Sequence, residues 1–220
     1  MVIGHYAAAF AAKAAEPRAP LWVYVTAAQL IDIAWAALVI TGTERVSLDP
    51  TLPGSALVLY HMPWTHSLPA ALIWSTAAGV LAAGVLKLPR GAAVVVGAVV
   101  FSHWLGDLLV HRPDLALWFG GPKVGLALWN LPVVEQAVEI GLLGLAAAAW
   151  TWRRASLGLD LGPALAFLSA LLGLQIIVLL LPIPKDQLAL GIGPLALFLM
   201  ITLVASVIER EGPQLVESSG

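Results

Sequence analysis

Long apolar runs separated by short polar segments dominate this chain of 220 residues. A helix needs roughly 20 apolar residues to cross a bilayer, and six runs reach that length. They are residues 21–41, 67–86, 91–111, 129–150, 161–181 and 188–208. The Ala-rich residues 1–15 are too few to cross, and we expect them to form a half-helix that lies in the interface or dips partway inward. The pattern predicts an all-α integral membrane protein with about six transmembrane helices and an N-terminal half-helix.

Prolines and polar residues mark the connections between these runs. Pro17 and Pro20 make a turn after the half-helix, and Pro113 ends the third run because proline disfavours helix in the residue before it. Residues 42–65 form a polar loop ending at Thr65, which we expect to cap the second transmembrane helix. Residues 115–128 form a shorter loop suited to a lid or rim. The chain divides into a polar-bearing core of residues 1–150, two apolar scaffold spans in 151–210 and a loose tail in 211–220.

The composition supports a membrane protein and narrows its chemistry. The chain is 60% hydrophobic and 11% charged, whereas a soluble domain has about 25% charged residues. Its net charge of -2 offers no basic surface, so we expect no nucleic-acid partner. It has no cysteine, which excludes disulfides, thiolate catalysis and cysteine-type zinc sites. Any metal must therefore be held by histidine and carboxylate side chains.

The distribution of basic residues predicts an orientation. If the spans alternate in direction, seven of the eleven Lys and Arg residues lie on the side of both termini. The positive-inside rule then places both termini in the cytoplasm.

The third run carries three ionisable residues at intervals of four: His103, Asp107 and His111. On a helix such residues share one broad face. Imidazole and carboxylate groups are ligands for zinc and similar divalent metals. Ionisable groups at membrane depth are costly and are usually functional. The alternatives are a polar stripe that joins helices and a proton path.

Other ionisable residues occur in the remaining early runs. Asp32 lies near the middle of the first run, with no Lys or Arg in that run to neutralise it. His66 stands at the mouth of the second run, and we prefer it as a ligand over His61 because it points into the span. Glu135 and Glu139 are four residues apart in the fourth run. Asp32 can instead be protonated and hydrogen-bonded to a neighbouring helix. The two glutamates can share a proton or pair with Arg112.

The positions of these residues within their spans place most of them in the outer half of the membrane, where they can meet. His5 joins them if the half-helix dips inward with Met1 deepest, since it lies roughly 12 Å along the helix from Lys13. All of these residues belong to the half-helix or the first four runs. This clustering predicts a buried metal site.

The order of these residues also resembles a known family. His5, Asp32, His66-Ser67, His103-x-x-x-Asp107 and a later Glu are similar to the bacterial membrane-bound, predicted metal-dependent hydrolases of the inner membrane, one member of which is described as LexA-regulated. The stretches AAQLIDIAW, THSL, SHWLGDLLVHRPDLAL and GGPKVGLALWN carry the resemblance, which covers residues 1–149.

The same order is similar to zinc-dependent phospholipase C and its related single-strand nucleases. That resemblance implies a metal-ligand set of His5, Asp32, His66, His103, Asp107, His111 and Glu139, with Asp107 as a possible bridge. It implies one to three Zn²⁺ ions, with Mn²⁺ or another divalent metal as the alternative. The soluble pattern ends in His-x-x-x-Glu, whereas this chain has Glu135-x-x-x-Glu139. The soluble enzymes also use their N-terminal amine, and Met1 lies close to His5 here.

The function implied is a membrane-embedded hydrolase of a lipid phosphoester that uses a metal-activated water. Asp32 or Glu135 would act as general base, and Arg112 and Lys123 would contact the substrate phosphate. The partner is membrane lipid, and the location is the bacterial cytoplasmic membrane. The alternatives are a transporter for metal ions or protons and a structural membrane subunit.

Overall fold

The computed structural model describes residues 1–210 except residues 183 and 185, and the predicted tail at 211–220 lies outside this part. The described residues form seven α-helices. They are α1 (Tyr6–Ala15), α2 (Leu21–Ile40), α3 (Leu68–Gly84), α4 (Arg90–Val110), α5 (Pro132–Ser156), α6 (Gly162–Leu180) and α7 (Gln187–Arg210). The predicted half-helix corresponds to α1, and each predicted span corresponds to one of the other six helices.

The lengths of the helices confirm an all-α membrane protein. The helices α2, α4, α5, α6 and α7 are long and apolar enough to cross a membrane. The remaining predicted span, the second along the chain, is the 17-residue α3, which is near the lower limit of about 17 residues for a transmembrane helix. Both α2 and α4 follow a proline at the preceding position, where the missing N–H costs no helical hydrogen bond.

The cap of α3 differs from the prediction. Thr65 does not cap this helix; the hydroxyl of Ser67 accepts a hydrogen bond from the Ala70 N–H at 3.3 Å. Ser67 has extended backbone angles and directly precedes the first helical residue, as an N-cap residue does. The Thr65 prediction was wrong by two residues, and the Thr65 hydroxyl is free for another contact.

Two short β-hairpins occupy the long connections. The first pairs β1 (Arg45–Leu48) with β2 (Leu57–His61), and the second pairs β3 (Leu115–Ala116) with β4 (Lys123–Val124). The hairpins meet where the ring centroids of Trp64 and Phe119 lie 5.7 Å apart. The loops after α2 and α4 therefore lie together at one end of the bundle.

Small residues let two of the helices approach closely. A Cβ at Gly97 of α4 would lie 2.9 Å from the Ser75 carbonyl oxygen of α3, and one at Gly79 would lie 3.2 Å from the Ala93 carbonyl oxygen. Close backbone approach at small residues is typical of helix pairs in membranes. Elsewhere α2 packs against α7, and α1 packs against α2 and α5. The half-helix is thereby placed inside the bundle rather than on its surface.

Candidate metal centre

Asp107 lies at the centre of a buried cluster of imidazole rings. Its Oδ1 is 3.1 Å from His5 Nε2 and 3.4 Å from His111 Nε2. Its Oδ2 is 3.2 Å from His103 Nε2 and 3.4 Å from His66 Nε2. The two carboxylate oxygens thus face different pairs of histidines, which is the arrangement that a bridging carboxylate requires.

Asp32 brings a second carboxylate to the cluster from α2. Its Oδ1 is 3.3 Å from His66 Nε2 and 3.5 Å from His103 Nε2. The Asp32 side chain is 17% exposed, whereas the His66 and His103 side chains are at most 4% exposed. Asp32 is therefore more exposed to solvent than the two histidine rings that it faces.

Two groups of ligand atoms in this cluster are close enough to hold a metal ion. One group is His5, His103 and Asp107, and the other is Asp32, His66 and His103. Within each group the ligand atoms lie within 4.8 Å of one another. His103 belongs to both groups, and Asp107 also touches His66 of the second.

Hydrogen bonds on the far side of the His103 and His111 rings fix their orientation. His103 Nδ1 is 2.8 Å from the Ala28 carbonyl oxygen, and His111 Nδ1 is 2.9 Å from Asp114 Oδ1. A carbonyl or carboxylate oxygen only accepts, so each Nδ1 carries the proton. In the neutral ring, the lone pair is then on Nε2, which faces Asp107. This is how metal-binding histidines are held by their outer neighbours.

His66 is fixed in the same sense through a hydroxyl. Its Nδ1 is 2.8 Å from Thr65 Oγ1, and that hydroxyl donates to Glu44 Oε2 at 2.6 Å. Because its one proton is used on Glu44, the Thr65 oxygen accepts from His66 Nδ1. The residue pair Glu44 and Thr65 was not predicted to contribute to the site.

Several ligand atoms have no ordinary hydrogen-bond partner. Among the described residues, His5 Nε2, His103 Nε2 and Asp107 Oδ2 are buried without one. Buried polar atoms are nearly always satisfied, so these three form a set of donor atoms that fits a metal ion. Nitrogen and oxygen ligands in such a set suit zinc and related divalent metals.

His5 reaches the cluster from the start of α1. Its ring stacks on His103, with centroids 3.7 Å apart and planes inclined by 10°. Gly106 of α4 makes room, since a Cβ there would lie 3.2 Å from His5 Cε1. Burial, with smaller contributions from His103 and the Met1 amino group, lowers the pKa of His5 to about 4. A neutral imidazole is the form that binds metals. The Met1 amino nitrogen lies 3.4 Å from Asp107 Oδ1.

The two predicted glutamates lie beside the cluster in different roles. Glu139 accepts hydrogen bonds from the backbone N–H groups of Val2, Ile3 and Gly4 at 3.0–3.2 Å. Glu135 accepts one from the Gln136 side chain at 2.7 Å. Neither belongs to the two groups of metal-binding atoms. The structure thus gives Glu139 a place as the anchor of the N-terminal segment.

The two predicted phosphate-binding cations bond to loop backbone. Arg112 donates to the carbonyl oxygens of Pro53 and Ser55 and to the side chain of Asn130. Its guanidinium also lies 5.6 Å from the ring centroid of Trp129, which itself lies 4.1 Å from the His111 ring. Arg112 therefore packs against Trp129, which in turn packs against His111. Lys123 donates to the Tyr60 carbonyl oxygen at 3.1 Å.

The preference for His66 over His61 corresponds to the structure, because His61 is exposed on β2.

Comparisons of the chain with protein-family models, with curated proteins and with solved structures found no match. The fold and the site together define an all-α membrane protein with a buried cluster of histidines and carboxylates that can hold a metal ion.

Proposed function

We propose that this protein is a membrane-embedded metal-dependent hydrolase of a lipid phosphoester, located in the bacterial cytoplasmic membrane with both termini in the cytoplasm. The observation that carries the proposal is Asp107, whose two oxygens face four histidine Nε2 atoms. A structural polar stripe has no need for four imidazole nitrogens around one carboxylate, two of which, on His5 and His103, are buried without a hydrogen-bond partner. The order of the residues along the chain, with its resemblance to membrane-bound hydrolases, also supports it.

Zinc is the metal we propose, with Mn²⁺ as the alternative, because the available donors are nitrogen and oxygen atoms. The side chains of the cluster would hold this ion. His5, His103 and Asp107 would hold it in one arrangement, or Asp32, His66 and His103 in another, because the one free lone pair of His103 Nε2 can bind a single ion. When bound, a divalent ion supplies a Lewis acid for the phosphoryl oxygen and makes water a stronger acid.

The residues of the chain supply orientation and proton transfer. Asp32 is the one partly exposed carboxylate of the two groups, so it can accept a proton from a water molecule at the open edge. Glu135 remains the second candidate for this role. The hydrogen bonds at Ala28, Asp114 and Thr65 prevent the histidine rings from rotating during turnover.

The depth of the site favours a lipid substrate. Asp32 lies eleven residues after Leu21, the first residue of the 20-residue α2, which is roughly 16 Å along the helix. A water-soluble ester would have to leave water to reach this level. An ester that is anchored in the membrane by its own hydrocarbon chains approaches it without that cost.

The test is hydrolysis by purified protein in detergent, loaded with Zn²⁺ or Mn²⁺, against phospholipids and isoprenoid phosphates. We expect phosphoester cleavage that is abolished in Asp107→Asn and retained in His61→Ala, which changes a histidine outside the cluster. Metal-loaded protein that cleaves no member of the panel would refute the proposal. Uptake of the metal into proteoliposomes without cleavage would support the transport alternative.

A further inference from the structure

Glu44 is a fully buried carboxylate in the connection between α2 and β1. Its Oε1 accepts hydrogen bonds from the backbone N–H groups of Trp64 at 2.8 Å and Thr65 at 3.0 Å. Its Oε2 accepts the hydroxyl hydrogen bond of Thr65 at 2.6 Å. Burying a carboxylate is costly unless its hydrogen bonds are satisfied. All three of the hydrogen bonds that Glu44 accepts here come from Trp64 and Thr65, the two residues just before His66.

This arrangement determines which nitrogen of His66 is free. A hydroxyl has one proton to donate, and the carboxylate of Glu44 can only accept it. The lone pairs of Thr65 Oγ1 are left for the proton on His66 Nδ1, 2.8 Å away. In the neutral ring the other nitrogen then carries the lone pair, and it faces Asp32 Oδ1 and Asp107 Oδ2.

We propose that Glu44 is a positioning residue for the metal centre, acting on His66 through the hydroxyl of Thr65. The inference rests on the proposed function in so far as the cluster holds a metal. Glu44 keeps the proton of His66 on Nδ1 and keeps the ring facing the carboxylates. Without it, His66 can place its proton on Nε2, where it would block coordination.

The backbone around Glu44 is itself held from two directions. The Glu44 N–H donates to the Leu38 carbonyl oxygen at the end of α2, at 3.1 Å. Gln187 at the start of α7 donates to the carbonyl oxygens of Val39 at 3.1 Å and Glu44 at 3.3 Å. The last helix, predicted from sequence to be scaffold alone, thereby holds the backbone of the residue whose carboxylate orients a candidate ligand.

Two substitutions at Thr65 separate this role from a purely structural one. Thr65→Val keeps the shape of the side chain and removes the hydroxyl, whereas Thr65→Ser keeps the hydroxyl. Loss of an outer partner of a metal ligand typically lowers metal affinity about 10- to 100-fold. We expect that loss of Zn²⁺ affinity in Thr65→Val and Glu44→Gln, measured by competition with a chelator, and near wild-type affinity in Thr65→Ser.

A matched control is available in the loop between β1 and β2. Thr51 also donates its hydroxyl to a carboxylate, that of Asp49, but this pair is exposed. We expect Thr51→Val to bind Zn²⁺ as the wild type does. Equal affinity in Thr65→Val and the wild type would overturn the inference, as would an equal loss in Thr65→Val and Thr65→Ser.

A second measurement keeps the inference independent of metal binding and of hydrolysis. In metal-free protein with ¹⁵N-labelled histidine, NMR reports which nitrogen of His66 carries the proton, with His66→Ala identifying its signal. We expect the proton on Nδ1 in the wild type and Thr65→Ser, and a mixture of both forms in Thr65→Val. A proton on Nε2 in the wild type would overturn the inference even if the protein cleaved lipid, whereas absence of cleavage alone would count only against the proposed function.

Discussion

Replacing Glu139 with glutamine tests whether this residue anchors the N-terminal segment or binds metal directly. The carboxylate accepts the backbone N–H groups of Val2, Ile3 and Gly4, and these residues lead directly into His5. Gln29 of α2 holds the same segment by donating to the Val2 carbonyl oxygen at 3.0 Å. If Glu139 is the anchor, its loss affects the metal site that contains His5 and spares the rest of the cluster.

The size of the effect follows from the contacts. A glutamine oxygen in the position of Oε2 still accepts the three N–H groups. The amide NH₂ would then take the place of Oε1, which lies 3.0 Å from the Val2 nitrogen, so that two donors would face each other. Hydrogen bonds to charged groups contribute about 1.5–3 kcal/mol and neutral ones about 0.5–1.5 kcal/mol. Weakening three bonds by about 1 kcal/mol each gives about 3 kcal/mol, or roughly a 100-fold shift against docking of the segment.

The assay is the Zn²⁺ content and affinity of detergent-purified variants, compared with His5→Ala. We expect Glu139→Gln to lose affinity at one site by up to about 100-fold, to resemble His5→Ala, and to remain folded. Asp49→Asn is the matched control, because it makes the same chemical change at a carboxylate that also accepts a backbone N–H, that of Thr51 at 2.9 Å, but that lies outside the cluster. We expect it to keep its metal.

The reasoning would be refuted if Glu139→Gln bound metal as tightly as the wild type. It would also be refuted if Glu139→Gln lost all metal at both groups of ligands while His5→Ala lost only part. That second result would make Glu139 a ligand rather than an anchor.

Three further outcomes follow from the geometry. Asp107→Asn removes the carboxylate charge of the first group, which also lies 3.4 Å from His66 of the second, so metal analysis should show less than about a tenth of wild-type content, and retention of metal would contradict the central role of Asp107. His66→Ala should lose metal whereas His61→Ala should not, and equal behaviour would contradict their placement. Gly97→Val adds a Cβ 2.9 Å from the Ser75 carbonyl oxygen. The overpacking should destabilise the fold by about 1–3 kcal/mol and lower the thermal unfolding midpoint by several degrees. An unchanged midpoint would contradict the close helix contact.

The helices and the centre of the site could be predicted from sequence because both depend on simple spacing. Runs of about 20 apolar residues define the spans, and intervals of four put His103, Asp107 and His111 on one helix face. A carboxylate in an apolar span needs a partner, which identified Asp32 before its neighbours were known.

The roles of Glu139, Thr65 and Arg112 could not be predicted in the same way. Each depends on a contact between residues far apart in the chain, or on a loop conformation that no periodicity encodes. A glutamate four residues from another looks the same whether it faces a metal or the backbone of a distant helix start. The position of Thr65 before a helix also predicts a cap, but the hydroxyl is used on Glu44 and Ser67 takes the cap instead.

The anchoring of α1 by Glu139 has a consequence for biosynthesis. His5 emerges from the ribosome first, but the carboxylate that holds its segment follows 137 residues after Val2. Until α5 has been inserted into the membrane, the N-terminal segment lacks this anchor and has only its contacts with earlier elements, such as the bond from Gln29 to Val2. The N-terminal segment can therefore take its final position in the cluster only after α5 has joined the bundle, so a chain arrested before that stage would carry an incomplete candidate metal centre.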